Sequence, residues 1–209
     1  VAHIPDGVLS LPVLATGAAV TVTGCALGLR HLSHERIPQA AVLSSVFFVA
    51  SLVHFPVGPS SVHLILNGLV GIMLGSAAFP AILVALLLQA VMFGFGGLVV
   101  LGVNVMNMAI PAVLCGAMFT AVARQGHARA TVITAGFTGA FGVFLTALMV
   151  AVSLGLSGKE FVDAARLVLF AHVPVMIIEA VFTSAAIALL IRVKPEFLGV
   201  PTNVEVANA

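Results

Sequence analysis

The sequence predicts an all-α integral membrane protein of seven transmembrane helices, with an extracytoplasmic N-terminus and a cytoplasmic C-terminus. Three observations lead there. Of 209 residues, 61% are hydrophobic and only 7% charged, against about 25% charged in an ordinary soluble domain. The apolar residues gather into runs long enough to cross about 30 Å of hydrocarbon. The few cations also divide unequally between the two sides that seven crossings define, in the sense of the positive-inside rule.

The runs lie near residues 8–29, 38–54, 62–78, 79–93, 104–123, 130–156 and 171–192. The first carries no Lys or Arg among the opening 29 residues. A secretory signal needs a positive n-region, so this segment is expected to stay as a span and keep its free amine. The block from 62 to 101 is almost continuously apolar but is broken by Pro80 and by Gly94, Gly96, Gly97 and Gly102. Charge decides its count. Seven spans place Arg30, Arg36, Arg124, Arg129, Arg192 and Lys194 inside and only Lys159 and Arg166 outside. A single span there would put Arg124 and Arg129 on the wrong side, so two helices with a Gly-rich connection are expected. SGKEFVDAARLVLFAH reads as a helix along the interface before the last span. Residues 1–194 form one polytopic domain, and 195–209 read as a polar cytoplasmic tail.

Composition excludes several functions. A net charge of +1 and the lack of Trp and Tyr leave neither a basic field nor a Trp or Tyr stacking platform for nucleic acid. Cys25 and Cys115 stand far apart in apolar runs and read as packing residues. There is no HExxH, and no Walker GxxxxGK[ST], so the chain is expected to catalyse nothing and to take any ATP hydrolysis from partner chains.

The polar residues that remain point to metal chemistry. Val1-Ala2-His3-Ile4-Pro5-Asp6-Gly7 is a turn-forming leader on the external side. A terminal amine, deprotonated backbone amides and a nearby imidazole close fused chelate rings around one ion, and tetragonal nitrogen sites suit nickel(II) or copper(II). Val1 reads as an alternative start codon. If the initiator is removed, Ala2 bears the amine, and a fourth donor must come from elsewhere; if it stays, the first three residues supply four nitrogens. The competing reading of His3 is a solvated terminal residue. His63 opens the third run after a Pro/Gly/Ser loop on the same side and is the natural further ligand, or else a helix-start His bonded to a carbonyl. Asn104 and Gln89 are candidates to support the imidazoles. Asn67 and Asn107 read more simply as helix-bridging amides. His54 is a candidate accessory ligand. His31, His34 and His127 read as helix-end residues, and Asp6-Gly7 as the capped start of the first span.

These residues resemble the CbiM/NikM family, the metal-binding S component of cobalt and nickel energy-coupling factor (ECF) ABC transporters. The resemblance rests on His3-Ile-Pro-Asp-Gly7, Ser61-Val-His63, Gln89-Ala90, Gly96-Gly97, Leu101-Gly-Val-Asn104, Met108-Ala109 and His172-Val-Pro174 leading to Glu179, in that order over nearly the whole chain. It implies capture of Ni2+ or Co2+ by His3, His63 and the nitrogens of Ala2 and Val1, with Asn104 and Gln89 behind them and Glu179 and Asn67 as structural polar residues. It also implies a coupling transmembrane T component and a pair of ABC ATPases as partners, with a small accessory membrane subunit as a further candidate, in the prokaryotic cytoplasmic membrane. His stands third here where the family has it second, and Phe95 replaces a position that is often His or Asp. A secondary transporter or passive channel is the alternative, but it would want a line of intramembrane carboxylates, and only Glu179 is placed deep.

Overall fold

The computed structural model describes residues 3–57, 60–123 and 128–198, with the backbone alone for 54–57 and 60–62. Among these residues the chain forms eight α-helices: α1 Leu11–Arg30, α2 Ile37–Ala50, α3 Asn67–Leu74, α4 Ala78–Phe93, α5 Leu101–Ala123, α6 Ala128–Ser157, α7 Val162–Ala171 and α8 Val173–Val193. A small antiparallel ribbon, β1 His54–Val57 with β2 Ser60–His63, joins α2 to α3 and pairs His54 with His63.

Five segments are long and apolar enough to cross a membrane: Leu11–Arg30, Asn67–Phe93, Leu101–Ala123, Ala128–Ser157 and Lys159–Val193. Large apolar side chains such as Val22, Val91, Ile133, Leu156 and Ile177 point outward and exposed, as lipid-facing positions do. The protein is therefore a multi-pass membrane protein. At 14 residues α2, and at 8 residues α3, are shorter than the roughly 20 residues of a full crossing, so length alone does not establish the expected seven spans.

The apolar block after residue 62 does divide into two helices, α3 and α4, close to the boundary between its runs 62–78 and 79–93 and not at the Gly-rich stretch 94–102. Its break is a 3-10 turn at Gly75–Ala77, with Gly75 at φ 57. Pro80 is accommodated in the first turn of α4, where its missing amide costs nothing. His63 does not open a helix; it ends β2, and a left-handed Leu66 (φ 56) turns the chain into α3.

All eight residues of α3 are buried, because glycine lets it lie against neighbouring backbone. A Cβ on Gly71 would strike the Ala112 carbonyl of α5, and one on Gly68 would stand 2.9 Å from Gly139 Cα of α6. Both ends of α3 are satisfied from elsewhere. Glu179 of α8 accepts the Ile65 and Leu66 N–H groups, the latter at 2.7 Å, and Arg36 donates to the Met73 carbonyl at 2.7 Å. Carboxylate at the start and guanidinium at the end match the helix dipole.

α1 crosses α5 closely. A Cβ on Gly17 would fall 2.7 Å from Val103 Cα, and one on Gly102 2.8 Å from Ala18 Cα. Gly17 thus packs the chain's own bundle, while Ala15 and Ala19 stay exposed.

These contacts define two ends of the bundle. At one, the leader meets the ribbon and the loop after α4, and Ser10 N–H donates to Ser157 Oγ at 3.1 Å. At the other, Arg36 meets Met73, and a Cβ on Gly28 would stand 2.5 Å from Ser76 O. There a cavity of about 470 Å³ is lined by residues including Arg36, Gln39, Met73, Glu196 and Phe197. Residues Pro195–Leu198 form a 3-10 turn folded back on this cavity. The expected interface segment is helical, as a short turn at Lys159–Phe161 followed by α7.

Candidate metal-binding site

The site is assembled from three pieces of backbone that are each held by a distant polar side chain. The leader comes first. Asn104, in the first turn of α5, donates through Nδ2 to the Ile4 carbonyl and accepts the Ile4 N–H at Oδ1, both at 3.0 Å. Two residues on, Asp6 accepts the Val100 N–H at 2.9 Å. Asp6 thus serves the start of α5, not of α1 as its place in the sequence suggests; α1 begins at Ser10 with no side-chain cap and Pro12 in its first turn. The distant helix wins because its amides are open where the leader crosses them.

The loop after α4 covers this crossing. Gly94 (φ 66) ends α4 in the left-handed conformation and donates to the Ala90 carbonyl at 3.1 Å. Gly96 (φ 76) lies so near the leader that a Cβ would be 2.7 Å from Asn104 Nδ2 and 3.6 Å from His3 Cβ, and a Cβ on Gly97 would strike the Asp6 carboxylate. The third piece is the end of β2, held where Glu179 anchors residues 65 and 66.

Together these pieces bring His3 and His63 into contact across sixty positions of sequence. The two imidazoles stack with centroids 4.8 Å apart and planes 19° from parallel, and both are buried, at 5% and 3% exposure. His63 Nδ1 lies 2.8 Å from the Leu64 carbonyl. A carbonyl only accepts, so in the neutral ring Nδ1 carries the proton and Nε2 keeps the lone pair, the arrangement that prepares a histidine to ligate through Nε2. Phe95 stacks on His3 at 6.1 Å and 20°. Behind it Phe93 lies 5.6 Å away, and Phe48 a further 5.5 Å. Among the described residues, which leave out the His54 side chain, no three His, Cys, Asp or Glu side chains gather as a metal cluster.

Val1 and Ala2 lie outside the described residues, as do Arg124, His127 and the tail from 199. Asn104 acts on the leader backbone directly beside His3. Gln89 is fully buried in the last turns of α4, and its side-chain amide makes no hydrogen bond among the described residues; its backbone carbonyl accepts the Phe95 N–H at 3.3 Å. Asn67 ties three helices together, donating to Thr146 Oγ1 at 2.8 Å and to the Met108 carbonyl at 3.1 Å. Asn107 accepts from Ser153 Oγ at 3.3 Å. His31 and His172 each bond the carbonyl four residues back through Nδ1. His54 is the partner of His63 across the ribbon, and its side chain lies outside what the structure describes. The stacking of Phe95 on His3 is not foreseen from sequence; an aromatic residue between two glycines just after a helix is the signal that marks it.

The model of the family described as "Cobalt uptake substrate-specific transmembrane region" matches residues 3–197. A curated protein of Haemophilus influenzae is 41% identical over 203 residues, which cover 96% of this chain and 98% of that one. The fused nickel transport protein NikMN of Rhodobacter capsulatus is 33% identical over 94% of this chain; the match spans only 63% of the fused protein's length. A crystal structure of a truncated transition metal transporter superposes with a TM-score of 0.75 at 26% identity, covering 91% of this chain and 98% of that one.

Proposed function

The chain belongs to the CbiM family of cobalt uptake substrate-specific transmembrane regions, and from this we propose that it captures Ni2+ or Co2+ as the S component of an ECF-type ABC importer. The observation that carries the reading is the stacked, buried His3–His63 pair. An ion bonded to one nitrogen of each ring at about 2.0–2.1 Å would hold the two donors roughly 3 Å apart, and the two rings already lie 4.8 Å apart between centroids. We assign the remaining donors to the backbone and amine nitrogens of Val1 and Ala2, which complete a nitrogen set of the kind tetragonal nickel accepts. Asn104 would hold the leader in register, Glu179 the His63 segment, and Gln89 the loop that covers both.

Seven rods, α1 to α6 and α8, would then alternate between the two ends of the bundle. The leader, Lys159 and Arg166 lie at the external end, and Arg30, Arg36, Arg129, Arg192 and Lys194 at the cytoplasmic end of a prokaryotic cytoplasmic membrane. Residues 1–194 act as one domain. The chain brings no ATPase of its own; a T component and an ABC ATPase pair would drive release, with a small accessory membrane subunit as a further partner.

The test is nickel and cobalt binding by the purified chain in detergent, measured by competition with a chromophoric chelator. His63→Ala should abolish tight binding, and acetylating or extending the terminus by two residues should weaken it. Unchanged affinity in His63→Ala would refute the site. Uptake that persists without co-expressed ATPases would favour the secondary transporter or channel.

A further inference from the structure

We propose that Leu66 is the joint on which the site opens to admit and release its ion: its left-handed backbone holds His63 against His3, and turning it out of that conformation carries His63 away. This rests on the metal-capture reading above.

The joint lies at the end of a helix that cannot yield. α3 is wedged by Gly68 against Gly139 of α6 and by Gly71 against the Ala112 carbonyl of α5, and Arg36 holds its far end at the Met73 carbonyl. On the other side of Leu66, β2 ends at His63, with only Leu64 and Ile65 between. A rotation at residue 66 therefore moves His63. Leu66 stands at φ 56 and ψ 18, the one non-glycine residue with positive φ among the described residues. A Cβ there crowds the following carbonyl oxygen, so residues other than Gly, and occasionally Asn and Asp, avoid that region. A backbone held in such a state needs surroundings that impose it.

Those surroundings come from α8. Glu179 accepts the N–H groups of Ile65 and Leu66 at one oxygen, the latter at 2.7 Å. One residue before it, Ile178 packs on the buried Leu64 and Leu66. His3 is positioned from another helix, because Asn104 of α5 holds both backbone groups of the residue after it. The two imidazoles thus hang on different helices, and they stack only while α8 keeps its grip on residues 65 and 66. When α8 draws Glu179 away, Leu66 loses what holds it left-handed and returns to negative φ. The chain before it then changes direction, and His63 leaves His3 while Asn104 keeps the leader in place. Leu66 is a positioning residue: it acts on the ion through His63.

The experiment compares the intact chain in detergent as wild type, Leu66→Gly, Leu66→Ala and His63→Ala. Gly and Ala both lose the Leu66 contact with Ile178 and differ in the steric penalty at φ 56, which only Ala bears. Two rates are measured: hydrogen exchange of peptides spanning Ile65 and Leu66 in the metal-free protein, and transfer of Ni2+ from the loaded protein to excess chelator. Leu66→Gly should exchange and release more slowly than Leu66→Ala by roughly 5–30-fold, the factor equivalent to the penalty on a left-handed residue with a Cβ. Ordinary chain entropy makes glycine the looser residue, so the reverse order, or equal rates, overturns the joint. Slower exchange with unchanged release overturns it too, since the joint would then move without letting the ion out. Should Leu66→Ala not fold, Leu66→Asn against Leu66→Val poses the same question, because Asn tolerates the left-handed region and a branched Cβ does not. Nickel held equally by His63→Ala and wild type would refute the capture reading instead.

Discussion

Asn104 holds Ile4 at both of its backbone groups, donating to its carbonyl and accepting its N–H, each at 3.0 Å. One amide on α5 thereby places the residue next to His3, and does so a hundred positions away in sequence. Replacing Asn104 with Leu leaves two buried backbone groups without partners, at roughly 1–3 kcal/mol each. We expect nickel affinity to fall by about 10–100-fold while far-ultraviolet circular dichroism stays unchanged. Chelator competition on the two proteins checks this; an affinity within twofold of wild type would show that the leader needs no such anchor.

Glu179 supplies the corresponding hold on the His63 side. Glu179→Ala removes the acceptor of two N–H groups at the buried start of α3, and a buried donor left without a partner costs about 1–3 kcal/mol. A fall of several degrees in the detergent melting temperature is expected, with a smaller fall for Glu179→Gln, which keeps one acceptor oxygen. Equal losses in the two variants would argue against the capping role.

Two glycine substitutions should behave oppositely. In Gly71→Ala the new methyl meets the Ala112 carbonyl, and two backbones cannot separate without opening the α3–α5 contact, so marked destabilisation or loss of folding follows. Gly155 lies in α6 with nothing within 4 Å of a built Cβ, so Gly155→Ala should be neutral or stabilising by about 0.5–1 kcal/mol. Thermal melts and detergent size-exclusion profiles decide both.

Binding should also weaken as the solution is acidified. Amide and protonated amine donors must each give up a proton to bind an ion, and an imidazole must be neutral, so protons compete with the metal. A plot of log Kd against pH should rise towards acid with a slope steeper than one proton per ion. A flat plot would mean that the ligands are not these nitrogens.

Much of this was readable in advance where a property depends on local composition. Sustained hydrophobicity selects the bilayer as solvent whatever the packing, and apolar runs in lipid must be helical to satisfy their own amides. His3 and His63, which stack in the structure, stand out in the sequence as imidazoles at the edge of apolar runs. What failed were statements about partners. Asp6 was expected to cap the helix that follows it and caps α5 instead.

The sequence by itself determined the solvent, the helical character and which side chains have metal chemistry to offer, because these follow from each residue and its near neighbours. Only the tertiary structure decided that His3 lies on His63, that Phe95 covers His3, and that Asn104, Asp6 and Glu179 hold the pieces together. Hydrogen-bond partners a hundred residues apart are chosen by how helices cross, and the crossings are set by glycine-to-backbone contacts that no local pattern records.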